Sequence, residues 1–242
     1  MKKLLIIAFL VVSVPAFSQV FISKGMIEYE VKVNIHKSMG EGMWADMMKD
    51  KIPKLSTSFY NLTFTQDQSL YQYSRSGDVV KVPSWFSNNE EDNIWFNDYN
   101  TESFTQQKNV FGDSYLLKDS LMNIKWKITN ENREIAGFNC RKAVGILFDS
   151  VYVFAFYTDE ITVSGGPMSL NGLPGMILGV TIPRMFSSWI ATKVQVAGVD
   201  DKVIVAPKRG KQKKARELKG TVEQATKDWG SYGQQRVWGM FL

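Results

Sequence analysis

Between Gly25 and Ile35 the chain alternates residue by residue. Ile27, Tyr29, Val31, Val33 and Ile35 fall on one side, and Glu28, Glu30, Lys32 and Asn34 on the other. An extended strand, with its two-residue side-chain period, sorts these onto separate faces. A face this polar belongs to an antiparallel sheet packed on one side and wetted on the other. The feature therefore constrains the chain towards a β-rich fold.

The same period returns along the chain. Tyr60, Leu62 and Phe64 alternate with Asn61 and Thr63, and Gln66-Asp67-Gln68 forms a turn before Leu70 to Ser74. Asn93 to Tyr99 and Asn109 to Leu117 are further strand material, and Ile124, Trp126 and Ile128 alternate with Lys125 and Lys127. Ile135-Ala136-Gly137 turns into a strand running to Phe148, Asp149-Ser150 turns back, and Val151 to Tyr157 and Ser188 to Val196 continue the pattern. Val82 to Thr105 is the least regular region, with Asn88 to Asn93 as a solvated acidic loop. Aromatic residues make up 13%, including seven Trp, which suits large side chains packed on sheet faces.

Two stretches change period. Met39, Met43, Trp44, Met47 and Met48 recur at spacings of three and four between His36 and Lys51, which predicts a helix ended by Ile52-Pro53. Thr221 caps a second helix carrying Val222, Ala225 and Trp229. Before it, the basic run from Lys208 to Lys219 reads as a solvated linker, with contact to an anionic surface as the alternative.

Gly172-Leu173-Pro174-Gly175-Met176-Ile177-Leu178-Gly179 joins a turn to a buried strand. Leu173-Pro174-Gly175 suits a type II turn, with proline presetting φ and glycine taking the positive φ that follows. Met176, Ile177 and Leu178 form a continuous apolar run, the mark of backbone buried on both faces. The expectation is a structural corner of the sheet.

Lys2 and Lys3, the apolar run Leu4 to Val14 and the small residues of Ala16-Phe17-Ser18 read as an export signal over residues 1–18. One β-rich domain over 19–242 follows, exported and periplasmic, without a later transmembrane segment. Without Lys2 and Lys3 the 29 basic side chains fall to 27 against 24 acidic ones, a charge of +3 too mild for nucleic-acid binding. Cys140 is the single cysteine and reads as a small buried hydrophobe.

Gly137, Cys140-Arg141-Lys142-Ala143, Phe156-Tyr157-Thr158, Glu160-Ile161, Gly166-Pro167 and Gly172 to Leu178 occur in an order that resembles the GLPGLI family of exported Bacteroidetes proteins. Met176 stands where the family string has Leu, and Phe156 where Trp is expected. The motif-bearing resemblance covers roughly residues 133–183. It implies a strand pattern similar to the curved antiparallel, half-barrel sheets of periplasmic lipoprotein carriers, and it carries over no catalytic residue.

Catalytic chemistry has little to stand on. His36 is the one histidine and lies far from Cys140 in sequence, there is no HExxH or CxxC, and the Gly165-Gly166-Pro167 string precedes no helix. The expectation is a non-catalytic exported protein that holds a peptide, a lipid or an outer-membrane partner, without a cofactor. The alternative is a copper carrier: His36, Met39, Met43, Met47 and Met48 on one helical face would offer an imidazole and soft thioethers suited to Cu(I).

Overall fold

The computed structural model describes residues 21–77, 90–148, 150–229 and 237–239. The expected export signal and Asn88 and Asn89 of the acidic loop therefore lie outside the described residues, while Glu90–Asp92 form a short 3-10 turn. The alternating segment Gly25–Asn34 is β1, and it sits in the middle of the sheet. On one side an antiparallel meander runs outward through β2 (Leu55–Phe64), β3 (Gln68–Ser76), β4 (Ile94–Asp98), β5 (Ser103–Val110) and β6 (Asp113–Ser120). On the other side β11 (Ser187–Gln195) lies against β1, followed outward by β10 (Met176–Ile182), β9 (Val151–Thr158), β8 (Phe138–Leu147) and β7 (Lys127–Ile135). A short parallel strand, β12 (Lys211–Lys213), adds to β6, giving an open, curved sheet of twelve strands among the described residues.

The alternation behaves as the side-chain period dictates. Ile27 and Tyr29 are fully buried, and Lys32 on the opposite face is exposed. One apolar cluster joins Ile27, Tyr60, Leu62 and Trp95 on the β1–β6 side to Ile135, Ala143, Val153 and Val180 on the β7–β11 side. Both halves of the sheet thus share one concave core. Its outer edge, β7, is almost wholly exposed and carries Lys127, Asn130, Glu131, Asn132, Arg133 and Glu134, polar and charged side chains of the kind that discourage edge-to-edge pairing.

Three stretches depart from the sequence reading. Asn109 to Leu117 is the corner of the β5–β6 hairpin, turning at Phe111 and Gly112, whose φ angles of 52° and 87° end the first strand. Residues 121–126 run without strand pairing: Ile124 and Trp126 pack onto the core instead, and the strand starts only at Lys127. The basic linker is structured, because Lys211–Lys213 pairs with Tyr115–Leu117 and a helix, α3 (Ala215–Thr226), begins before the predicted Thr221 cap. Leu218 and Val222 bury one face of α3 against Val110 and Leu117. Ala225 is exposed.

Candidate functional site

The concave face is filled mainly by residues 159–175, which connect β9 to β10 and turn inward instead of running over the surface. Ile161, Val163, Met168, Leu170 and Leu173 are all buried in the shared core. A buried loop must satisfy its own backbone, and this inner loop does so through the walls around it. Asn97 Nδ2 donates to the Met168 carbonyl at 2.9 Å and to Ser69 Oγ at 3.2 Å. Trp126 Nε1 donates to the Asn171 carbonyl at 2.8 Å. Ser69 Oγ shares a 2.8 Å hydrogen bond with Tyr99, whose hydroxyl burial pushes up to about 12, so it remains protonated.

Gly172 to Gly179 is where this loop becomes strand. Gly175 N donates to the Leu173 carbonyl at 2.8 Å, and Met176 N to the Ile161 carbonyl at 3.1 Å. The turn is therefore a three-residue γ-turn centred on Pro174, not the expected type II turn, because the amide that would close the longer ring is taken by the inner loop. Ile177 N likewise donates to the Gly165 carbonyl, and the Ile177 carbonyl accepts from the Tyr29 hydroxyl at 2.6 Å. The β10–β11 pairing spans only Gly179 to Ile182, so at its start β10 bonds to the loop and to Tyr29 where a neighbouring strand would otherwise be. Met176, Ile177 and Leu178 are fully buried.

Gly175 has no substitute here. Its φ is 141°, and a Cβ would stand 2.0 Å from the Thr158 carbonyl oxygen.

The predicted methionine face does not form. Gly40 and Gly42, at φ 76° and 133°, break the segment into α1 (Ile35–Ser38) and α2 (Met43–Lys49). Met39 turns inward with Ile35, Ala45 and Ile52, and Met48 packs half-buried against them. Met43 is 91% and Met47 55% exposed. His36 Nε2 lies 2.8 Å from the Ile52 carbonyl, which only accepts, so that nitrogen carries the hydrogen and is occupied. The side chain of Trp44 lies outside the described residues. Among the described residues no group of three or more His, Cys, Asp or Glu side chains could hold a metal ion.

Cys140 is buried, as its composition suggested, and burial pushes its thiol up to about 12.

The inner loop does not fill the bowl completely. A cavity of about 190 Å³ remains between it, the β4–β6 wall and α3. Trp95, Phe104, Met122, Phe148, Met168 and Leu170 supply its apolar lining; Gln106 and Ser169 are the polar groups among them, and Ala215, Arg216 and Lys219 come from α3 with Asp119 and Ser120 opposite.

Register explains the β-sheet wall. Trp95 pairs with Gln106, and Gln106 with Leu117, so one row across β4, β5 and β6 faces the bowl. Aromatic contacts lead to this row from the sheet centre: Tyr29 to Tyr71 at 6.1 Å, Tyr60 stacked on Tyr71 at 5.0 Å, and Tyr71 to Trp95 at 5.4 Å. Lys108, buried beside them, holds its ammonium 5.0 Å over the Trp95 ring and donates to the Gly239 carbonyl at 3.3 Å.

Gln106 Nε2 and Ser169 Oγ are buried without a hydrogen-bond partner. Arg216 is exposed, while Lys219 is half-buried 5.7 Å over the Phe148 ring and ion-paired with Glu223.

Apart from Arg216 and Lys219, which fall in the basic run Lys208 to Lys219, sequence reasoning missed these cavity residues. The available signal was the alternation Phe104, Gln106, Lys108, Val110, a core-facing row interrupted by two polar residues, which the irregular look of the preceding stretch concealed.

Comparison with known proteins adds a family description and a fold. Residues 147–179 match a family model described as a protein of unknown function (Porph_ging). That span holds β9, the whole inner loop and the Gly172–Gly179 corner. No curated protein matches the chain.

Among solved structures, PNGF-II in space group P21 superposes with a TM-score of 0.52 at 18% identity, over 86% of this chain and 34% of that one. PNGF-II in space group C2 gives the same TM-score and identity, over 86% and 33%. The chain thus spans about a third of the length of these two structures, and at this identity the likeness concerns the fold.

Proposed function

We propose that the protein is an exported, non-catalytic binding protein of the GLPGLI type that takes an apolar group of a peptide or lipid into the cavity beside the inner loop. The observation that carries this reading is the apolar gap of about 190 Å³ beside the inner loop. Native cores are close-packed and leave few voids larger than a water molecule. Ligand sites are concave and mostly apolar, with a small number of placed polar groups. Seven elements and segments converge on this gap, and none contributes an arrangement of nucleophile and base. The Gly172–Gly179 stretch serves the site at one remove, by fixing the end of the loop whose Met168, Ser169 and Leu170 form one wall.

Native mass spectrometry of the protein purified from its source compartment tests the reading. A small molecule retained by the parent and lost from Ala215→Phe, which fills the cavity from α3, is the expected result. A parent that is empty and carries a stoichiometric protein partner instead would replace this reading with that of an assembly factor.

A further inference from the structure

Gln106 Nε2 and Ser169 Oγ present a specific chemical question. Gln106 is 4% and Ser169 7% exposed, both line the cavity, and neither of these atoms has a hydrogen-bond partner. Burying such groups unpaired is costly, and native proteins rarely do it without reason. An amide N–H donates only, and a hydroxyl can donate beside it. The complementary ligand atom is a hydrogen-bond acceptor.

The charge of that acceptor follows from the surroundings. Of the cations that line the cavity, Arg216 is exposed and Lys219 is already paired with Glu223, while Asp119 opposite them would oppose a carboxylate. A buried charge without a partner is far more costly than a buried neutral dipole.

Resting on the binding role proposed above, we propose that the cavity recognises a neutral carbonyl attached to an apolar group, as in an acyl amide, with the carbonyl oxygen accepting from Gln106 Nε2 and Ser169 Oγ. The apolar group lies against Trp95, Phe104 and Leu170. Its size is about six to eight non-hydrogen atoms, judged against the roughly 150 Å³ cavity that takes up benzene. Any anionic remainder of the ligand leaves past Arg216 and Lys219.

Isothermal titration with N-hexanoylglycine and nonanoate tests this, because the two chains are equally long and equally charged and differ in the internal amide. The parent is expected to bind N-hexanoylglycine about five- to tenfold more tightly, the worth of one or two satisfied donors. Gln106→Leu and the smaller change Ser169→Ala should each reduce that preference. Gln106→Leu should melt no lower than the parent, since it removes a donor that is unpaired in the free protein.

Equal or tighter nonanoate binding by the parent overturns the proposal, as does a preference that survives both substitutions or a marked loss of stability in Gln106→Leu. N-acetylphenylalaninamide distinguishes the source: binding with the same Gln106 dependence assigns the carbonyl to a peptide. If none of the three probes binds, the cavity reading itself fails, which is distinct from losing only the carbonyl.

Discussion

The Gly172–Gly179 corner and the methionine segment from His36 to Lys51 are both glycine-punctuated apolar stretches, yet the fold uses them in opposite ways. At the corner, every amide from Gly175 to Ile177 is committed to the inner loop or the neighbouring strand, and three consecutive side chains are fully buried. In the methionine segment the glycines interrupt a helix, Met39 and half-buried Met48 reach a small local cluster, and Met43 and Met47 stand in water. Apolar composition is the same signal in both. What separates them is whether the surrounding backbone has hydrogen bonds left to give.

The comparison makes graded predictions. Gly175→Ala should be the most damaging, because it adds a Cβ 2.0 Å from the Thr158 carbonyl at a φ that L-residues rarely adopt. We expect a loss of about 3 kcal/mol or more in urea denaturation, or no folded protein. A loss near 1 kcal/mol would show that the corner can shift.

Leu170→Ala, in the inner loop, should cost about 2–4 kcal/mol by enlarging the void. Tyr29→Phe leaves the Ile177 carbonyl without its hydroxyl donor, at about 1–2 kcal/mol. The double change Met43→Ser, Met47→Ser should alter stability by no more than about 0.5 kcal/mol. A larger effect there would mean that the methionine segment is covered in solution.

The outer face of β1 gives the mildest test. Glu28 is held below the usual carboxylate range, first by its hydrogen bond from Arg75. A carboxylate with a lowered folded pKa stabilises the protein fully above its unfolded pKa, and the contribution disappears as pH falls through the folded value. Glu28→Gln should therefore flatten the acid limb of the stability profile and leave the region above neutrality parallel to the parent.

Much of the sheet could be read from side-chain period alone. β1, the β2–β3 hairpin, β8, β9 and β11 all lie where alternation or turn residues placed them, because each has one packed and one wetted face or an unambiguous turn. The errors fall where tertiary bonding overrode local pattern. Ile124 and Trp126 alternate as a strand would, but Trp126 spends its indole N–H on the inner loop and the segment stays unpaired. The Leu173–Gly175 turn has the residues of type II, but the Met176 amide is taken by Ile161. The cavity was illegible for a related reason: it is an absence among segments spread from Trp95 to Lys219, and its two informative side chains, Gln106 and Ser169, stand out only once they are seen to be buried.

The central position of β1 has a consequence for how the chain acquires its structure. Its partner β2 follows almost at once, but its other partner, β11, arrives late: Thr192 Oγ1 donates to Glu28 from 164 residues away. While the chain is being made or moved, the β1–β6 meander can assemble from local contacts and still present one bare strand edge. Such distant closure slows folding and leaves a template for mispairing. A helper that shields β1 until Ser187–Gln195 has emerged would relieve the slowest step, and a circular permutant opened between β10 and β11, which places β11, β12 and α3 ahead of β1, would shorten the wait.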